Sequence, residues 1–231
     1  MDFETWEPVY GAILADFGFD RAADERARDL LADLLADERP LGPDELSLAG
    51  ETVAIAGAGP SLTDELDDAA AADAVVAASD AAAVLREAGV AVDCVVTDLD
   101  ESGRTPEELT AAGTPVAVHA HGDNTATLGE RVPALDAAAV LPTTQAEPAG
   151  PVVNTGGFTD GDRAAFLADH CGAETLVFPG WDFGDPDVDP MKRRKLDWAE
   201  RLLRWLERRR GERFAVLDGR REGIDESALP V

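Results

Sequence analysis

The chain has 231 residues, enough for one large domain with a full hydrophobic core, and its formal net charge is −27. So much negative charge repels nucleic acids and anionic membranes, and no apolar run approaches the length that spans a bilayer. The acidic start lacks the basic residues of a signal peptide, and two cysteines are too few for a disulfide framework, so we expect a cytoplasmic protein.

The first elements of the chain are predicted to be helices within residues 3–37. Apolar residues recur at helical spacings from Phe3 to Phe17, and a second stripe, made of leucines, follows. Prolines and a glycine then interrupt the pattern. We therefore expect residues 1–43 to form a helical segment attached to a main domain of residues 44–231.

Beyond this segment, short strands alternate with helices. Because the strands are continuous apolar runs, both faces of the sheet should be covered, and the alternation favours a parallel, doubly wound, Rossmann-like α/β fold. The predicted helices include 80–88, 106–112 and 160–170. The predicted strands are 52–56, 74–78, 93–96, 115–119, 138–141 and 175–178.

A long C-terminal helix is predicted to begin at Pro190, with Asp189 as its N-cap. We expect Arg201, Arg204 and Arg208 on its solvated face. The cations of its first turn should instead attract an anion, because a helix N-terminus with adjacent positive charge suits phosphate. These cations are Lys192, Arg193, Arg194 and Lys195.

A glycine-containing segment from Gly57 to Leu62 follows the first predicted strand. Its glycines would let a ligand approach the backbone, and the amides up to Ser61 would point at phosphates. Pro60 and the missing third glycine distinguish the segment from the dinucleotide-binding fingerprint. A tight strand-to-helix turn without any ligand explains it equally well.

Paired carboxylates follow the third predicted strand, in the segment Thr97–Glu101. Asp98 and Asp100 are two residues apart, so on an extended segment both face the same side. Two close carboxylates repel each other unless a cation lies between them, and Mg²⁺ with a polyphosphate would supply one. Plain acidic surface is the alternative interpretation.

Two histidines, His119 and His121, alternate at the end of the fourth predicted strand, with Asp123 and Asn124 close behind. A hydrogen bond to phosphate or proton handling near a reacting hydroxyl would suit them. Zinc is disfavoured, because the sequence offers no third ligand at a typical spacing and no thiolate nearby. A structural role remains the alternative for one of the two histidines.

The segment from Asn154 to Arg163 carries many polar groups. Thr159 or Asp160 can cap the helix that follows, Asp160 and Asp162 add carboxylates, and the arginine could clamp a phosphate.

Aromatic side chains accompany these polar groups. Phe158 would either stack on a flat heterocycle or pack in the core. A later loop repeats the combination, with Trp181 beside Asp182 and glycines on both sides.

Acidic residues are spread along the whole chain, and only two residues are lysines. We interpret this composition as adaptation to a salt-rich cytoplasm, where screening reduces the repulsion among like charges. The fold should then loosen in low salt. An ordinary acidic protein is the alternative.

Taken together, these segments resemble the archaeal 6-hydroxymethyl-7,8-dihydropterin pyrophosphokinases. The likeness runs from about Val53 to Lys195 and rests on the order Gly-Ala-Gly-Pro-Ser-Leu, Thr-Asp-Leu-Asp, His-Ala-His-Gly-Asp-Asn, Gly-Gly-Phe-Thr-Asp-Gly-Asp-Arg and Gly-Trp-Asp-Phe-Gly. The aspartate-pair loop and residues 160–163 are also similar, more distantly, to thiamine pyrophosphokinases.

The resemblance implies that the hydroxymethyl oxygen of a dihydropterin attacks the β-phosphorus of ATP, with Mg²⁺ present, and that AMP leaves. It also implies a role in folate or methanopterin biosynthesis, and the acidic composition is compatible with an archaeal source. A homodimer is left open, and no nucleic acid or membrane partner is expected.

The chemistry above and the resemblance together assign roles to residues. The expected metal ligands are Asp98, Asp100, Asp160 and Asp162. The expected catalytic residues are Asp98, Asp100, His121, Asp123 and Lys192. The expected ATP contacts are Gly57, Gly59, Pro60, Ser61, Asn124, Arg163 and Arg193, and the expected pterin contacts are Asn154, Phe158, Thr159, Trp181 and Asp182.

Two other functions fit parts of the same pattern. A transferase that uses a sugar nucleotide on a similar domain would yield no AMP. A nucleotide or S-adenosylmethionine binder would use only the glycine segment and would bind without Mg²⁺, which leaves the paired aspartates without a role.

Overall fold

A computed structural model describes residues 1–100 and 103–230 of the chain. The six strands are β1 (Thr52–Ala56), β2 (Ala74–Ala78), β3 (Cys94–Thr97), β4 (Val116–Ala120), β5 (Val140–Thr144) and β6 (Thr175–Val177). The α-helices are α1 (Phe3–Phe17), α2 (Arg21–Leu34), α3 (Leu66–Ala70), α4 (Ala81–Glu87), α5 (Thr105–Ala111), α6 (Thr125–Arg131), α7 (Asp160–His170) and α8 (Pro190–Arg210).

The strands form one parallel sheet in the order β5-β4-β3-β2-β1-β6. The chain adds strands outward from β1 to β5, then returns to the other side of β1 to add β6. This confirms the doubly wound α/β fold. The direction of winding reverses between β1 and β6, and ligands of such folds bind at the carboxyl ends of the strands beside this reversal.

Alternating side chains of the strands feed two hydrophobic cores, one on each face of the sheet. In β1, Val53 and Ile55 enter the core that contains α1, α7 and α8. Ala54 and Ala56 enter the core that contains residues of α2 to α6. Burial on both faces is why the strand sequences are continuous apolar runs.

The N-terminal helices contribute to both cores. From α1, Trp6 and Tyr10 are buried in the first core, while Ala27 and Leu31 of α2 are buried in the second. Gly18, whose φ of 72° suits glycine, ends α1 so that α2 can cross to the other face. The domain boundary at residue 43 stays a prediction, but both helices lie within the packing of the sheet.

Several predicted element bounds differ from the structure by one residue, and two local predictions differ further. Strand β5 begins at Val140 rather than at residue 138, because residues 137–139 form a turn that Asp136 caps. Helix α8 begins at Pro190 with Asp189 as its N-cap, as predicted. However, Arg204 pairs with Glu207 and Glu226 rather than facing solvent alone, because the chain after the helix folds back against it.

No helix among the described residues combines the length and the apolar character that crossing a membrane requires.

Candidate active site

A cavity of about 620 Å³ lies at the carboxyl ends of the strands. Its walls come from the loops after β1 to β4, residues 158–163, residues 180–189, the start of α8 and the turn between α1 and α2. The volume lies within the range of small-molecule sites. The glycine segment, the aspartate pair and the histidine segment contribute wall residues at the ends of their strands. The segment from Asn154 to Arg163 contributes residues at the start of α7.

Asp98, Asp100 and His121 form a cluster in this cavity. One ligand atom of each lies within 4.8 Å of the others. The loop that carries the two aspartates is not extended as expected, because Leu99 between them has a φ of 70°. The hydroxyl of Thr97 accepts a hydrogen bond from the Leu99 amide at 2.9 Å and stabilises this bend. Glu101, the last residue of the predicted segment, lies outside the described residues.

The carboxylate of Asp98 is held in its charged form. Burial by itself raises the pKa of Asp98, but the hydrogen bond with His121, the positive charge of Arg163 and the amide of Asp100 outweigh it and lower that pKa. The His121 Nε2 atom lies 3.4 Å from Asp98 Oδ2, and the Asp123 amide donates to Nδ1 of the same ring. Both contacts fit a neutral imidazole with its proton on Nε2.

The donor set of this cluster fits Mg²⁺. Magnesium prefers oxygen ligands, and its sites commonly combine one or two carboxylates with water and substrate phosphates. Asp98 supplies a carboxylate that is 24% exposed, and Asp100 supplies an exposed one that accepts a hydrogen bond from Thr127. His121 is better suited to orient Asp98 than to bind this metal.

Asp160 and Arg163, at the start of α7, line the same cavity. Their side chains form an ion pair with an N–O distance of 2.9 Å. Burial and the negative charge of Asp98 raise the pKa of Asp160 to about 6, although Arg163 opposes the shift. The charges of Asp98, Asp160 and Arg163 therefore influence one another at one wall of the cavity.

Asp162 does not share this position. Its carboxylate accepts hydrogen bonds from the amides of Phe158 and Thr159 and from the Thr159 hydroxyl, which is a capping box for α7. Asp162 is fully buried and does not line the cavity. The expected metal role of Asp162 is therefore replaced by a structural one.

Two asparagines predicted as ligand contacts are also structural. Asn124 is buried, and its side-chain amide donates to the carbonyls of Asp98 and His119 while its oxygen accepts from the His121 amide. It thereby ties the loop after β4 to the loop after β3. Asn154 donates to the carbonyl of Ala146 and accepts from Gly156. Neither side chain lines the cavity.

His119 is the structural member of the histidine pair, which was the alternative left open. It is buried, and its Nδ1 atom lies 3.0 Å from the Thr143 hydroxyl. Burial and the charge of Arg163 lower its pKa well below the usual value. The ring is therefore neutral at physiological pH.

The glycine segment uses most of its amides within the protein. Gly57 donates to the Pro179 carbonyl and Gly59 donates to the Gly180 carbonyl, each at 2.9 Å. The Ser61 amide donates to Asp182 Oδ2 at 2.8 Å. The expected supply of amides to phosphate is therefore wrong for these three groups, since the loop after β6 occupies them. Gly57, Gly59 and Pro60 still line the cavity.

Phe158 and Trp181, the two aromatic residues predicted as pterin contacts, both line the cavity. Phe158 lies in the first core, where its ring packs at a tilt against Phe17 and Phe19, and it also lines the cavity. The core-packing role is confirmed, and stacking on a heterocycle stays a prediction. The indole of Trp181 donates to the Ile55 carbonyl at 2.8 Å and lies against Gly161, where a side chain would leave no room. Thr159 and Asp182 also line the cavity.

The cations at the start of α8 have divided roles. Lys192 and Lys195 line the cavity. Arg193 instead donates to the carbonyls of Phe183 and Asp185 and fixes that loop. Arg194 pairs with Asp16 and lies over the ring of Phe17. The predicted anion site is thus reduced to the two lysines.

Several cavity residues were missed by the sequence reasoning. Ser79 has a φ of 45° and, with Asp80, lines the cavity after β2, but neither carries a motif. Asp24 and Gln145 also line it. The sequence does indicate that Asp24 is buried, because it lies three residues before Ala27 and seven before Leu31, on the apolar face of α2.

Comparison with known proteins shows which family model and which relatives the chain matches. A family model described as 6-hydroxymethylpterin diphosphokinase MptE-like matches residues 38–188. A protein of Methanothermobacter thermautotrophicus named 6-hydroxymethyl-7,8-dihydropterin pyrophosphokinase is 40% identical over 225 residues, which cover 90% of this chain and 96% of that protein.

Two further relatives carry the same name. The protein of Pyrococcus furiosus is 39% identical over 224 residues, covering 89% of this chain and 94% of its own. The protein of Methanocaldococcus jannaschii is 32% identical over 231 residues, covering 89% of this chain and 96% of its own. The chain therefore aligns with these relatives over nearly their whole length.

Proposed function

The chain belongs to the MptE-like family of 6-hydroxymethylpterin diphosphokinases, and from that premise we propose that it transfers diphosphate from ATP to 6-hydroxymethyl-7,8-dihydropterin. The resemblance found in the sequence motifs is confirmed by this membership. The observation that supports the chemistry is the cluster of Asp98, Asp100 and His121 in a cavity that also holds Asp160 and Arg163. We place the enzyme in the cytoplasm and in folate or methanopterin biosynthesis.

In the proposed reaction, the pterin hydroxymethyl oxygen forms a bond to the β-phosphorus of ATP and releases its proton to solvent. The bond between that phosphorus and the α-phosphate oxygen breaks, so AMP leaves. Such transfers depend on positioning and charge neutralisation more than on covalent catalysis. A Mg²⁺ ion would neutralise phosphate charge when bound, and Asp98 and Asp100 are the residues that would hold it.

The other cavity residues would position and neutralise the substrates. Lys192 and Lys195 add positive charge at one wall, and Arg163 adds it at another, where it is already paired with Asp160. His121 orients the Asp98 carboxylate through its Nε2 proton. Trp181 and Phe158 offer aromatic surface for a flat pterin ring.

The test is product analysis with purified protein in high KCl, Mg²⁺, 6-hydroxymethyl-7,8-dihydropterin and ATP labelled at the β- or the γ-phosphorus. Pterin-dependent AMP, with both labels transferred to the pterin, would support the proposal. ADP would mean that only the terminal phosphoryl group moves. No turnover in a folded sample would contradict the proposal and favour the sugar-nucleotide or binding-protein alternatives.

A further inference from the structure

The N-terminal helices place one buried carboxylate, that of Asp24, at the wall of the cavity. Asp24 lies in the first turn of α2 and is only 3% exposed. The family model starts at residue 38, so the match that defines the family does not include it. The role of these helices is therefore open.

Three donors from separate parts of the chain converge on this carboxylate. Its Oδ1 atom accepts from the Gly122 amide at 2.7 Å. Its Oδ2 atom accepts from the Tyr10 hydroxyl at 2.7 Å and from Gln145 Nε2 at 2.8 Å. Helices α1 and α2 and the loops after β4 and β5 are thus joined at one group.

Two branches of this network lead to the charged groups of the cavity wall. Gly122 follows His121, whose ring contacts the Asp98 carboxylate, and a side chain at Gly122 would lie 2.6 Å from the Cβ atom of Ala23. The second branch runs from Gln145 Oε1 to Arg163 Nη2 at 3.3 Å. Arg163 in turn pairs with Asp160 at 2.9 Å, at the wall of the cavity.

We propose that Asp24 is a positioning residue for the reaction: through Gly122 it holds the His121 ring against the Asp98 carboxylate, and through Gln145 it holds Arg163 in its pair with Asp160. The expected effect on the reaction rate rests on the proposed function. The hydrogen-bond network itself does not. It gives the N-terminal helices a role in the active site without contact to the reacting atoms.

The donors and acceptors of the network define a sharp test. In Asp24→Asn, the new amide group faces Gln145, whose side chain then either opposes it with its own amide or flips and presents that amide to Arg163. One donor is left unpaired in either case, which is costly in a buried site. Gln145→Glu in the same chain restores an acceptor for both neighbours and keeps the net charge of the network.

We expect Asp24→Asn to lower kcat by roughly 10- to 100-fold, with KM values changed by less than about threefold, as for other residues that orient catalytic groups. The double variant Asp24→Asn/Gln145→Glu should recover about tenfold of the lost rate, since residues in contact are not additive. Asp33→Asn, an exposed change of the same kind on α2, is the matched control and should match wild type. Recovery of the rate would not follow from a merely destabilised fold.

A readout that needs no turnover is the NMR signal of the Gly122 amide. This signal should move in Asp24→Asn, because a neutral amide oxygen replaces the carboxylate oxygen that accepts the Gly122 hydrogen bond, and it should stay unchanged in Asp33→Asn. If wild type forms no AMP, the proposed function fails, while the NMR result still decides whether Asp24 holds the loop. An unmoved signal would overturn the network.

The kinetic measurements can also contradict the positioning role of Asp24. A folded Asp24→Asn variant with a kcat within about twofold of wild type, or a double variant no faster than it, would overturn the positioning role. Should Asp24→Asn fail to fold, Gln145→Met breaks only the branch to Arg163 and should lower kcat by about tenfold. A full rate in that variant would equally contradict the proposal.

Discussion

Asp98 and Asp160 are two carboxyl groups in one cavity with opposite pKa shifts. Asp98 is kept charged by His121, Arg163 and a backbone amide that together outweigh its burial. Asp160 is pushed toward its protonated form by burial and by the charge of Asp98 itself. Perturbed groups of this kind concentrate at functional sites, because binding and catalysis need charges in places that folding alone would not favour.

The charge of Asp98 should be essential for turnover. Asp98→Asn keeps the shape of the side chain but removes its negative charge, so we expect kcat to fall by about 100-fold or more while the circular dichroism spectrum stays unchanged. Steady-state AMP formation measures the effect. Asp67→Asn, on the exposed face of α3, is the control, and a near-normal rate in Asp98→Asn would exclude the metal role.

Asp160 should make stability depend on pH. The pKa of the Asp160 carboxyl group is about 6 in the folded protein and near 3.8 in the unfolded chain. The folded state therefore binds a proton at Asp160 more tightly than the unfolded state does. Its contribution to stability is complete below about pH 4 and is lost as the pH rises through about 6. For metal-free protein, the free energy of unfolding of wild type relative to Asp160→Asn should fall by roughly 1 kcal/mol from pH 5 to pH 7. Urea unfolding of both proteins at the two pH values measures this change. If the stability of wild type relative to Asp160→Asn rose from pH 5 to pH 7, the raised pKa of Asp160 would be contradicted.

Trp181 should contribute to pterin binding. Its indole lines the cavity and is fixed by the Ile55 carbonyl, so Trp181→Ala should raise the Kd of the pterin by about tenfold, an amount equivalent to about 1.4 kcal/mol. Trp181→Phe keeps an aromatic face and should bind more tightly than the alanine variant. Isothermal titration with the dihydropterin alone provides the measurement. Equal affinities in wild type and Trp181→Ala would exclude this surface.

At the scale of the elements, the loops after β1 and β6 are packed backbone against backbone. Gly57 and Gly59 donate to the carbonyls of Pro179 and Gly180, and Gly180 itself has a φ of 74°. These contacts cross the point where the direction of winding reverses. They account for the glycines at positions 57 and 59, whose amides are used within the protein.

A side chain at Gly57 should therefore disturb the fold. A Cβ atom there would lie 2.5 Å from the Gly180 carbonyl oxygen, so Gly57→Ala should lower the free energy of unfolding by roughly 1–3 kcal/mol. Gly129→Ala is the matched control, because nothing lies within 4 Å of its Cβ position in α6. That variant should be neutral or more stable by about 0.5–1 kcal/mol. Equal stability of the two variants, measured by urea unfolding, would rule out the close packing.

At the scale of the whole molecule, the net charge of −27 dominates the electrostatics. Arginines are committed to local partners, such as Arg221 with Glu207 and Arg210 with Asp169. These pairs cannot offset an excess of acidic residues that is spread along the chain. Repulsion among the remaining carboxylates therefore opposes the compact state unless salt screens it.

We accordingly expect the Tm to rise by several degrees between about 0.1 M and about 2 M KCl, because the screening length falls below the spacing of surface charges. Differential scanning calorimetry across a KCl series tests this. A parallel series with a neutral osmolyte separates charge screening from general exclusion of solutes. A Tm insensitive to KCl would show that the acidic composition is not an adaptation to salt.

The sequence alone determined the α/β fold class, the approximate strands, the cap of α8 and the placement of Asp98, Asp100 and His121 at the ends of strands. Strand and cap signals are local, and a parallel sheet necessarily brings the carboxyl ends of its strands together. The motif order was also enough to recognise the family.

Only the tertiary structure decided which polar groups are free to bind a ligand. The amides of Gly57 and Gly59, the guanidinium of Arg193 and the carboxylate of Asp162 are all occupied by partners within the protein. Conversely, Asp24 enters the cavity from a helix that precedes every predicted motif. A hydrogen-bonding group serves the partner that packing brings to it, and those partners lie far apart in the sequence.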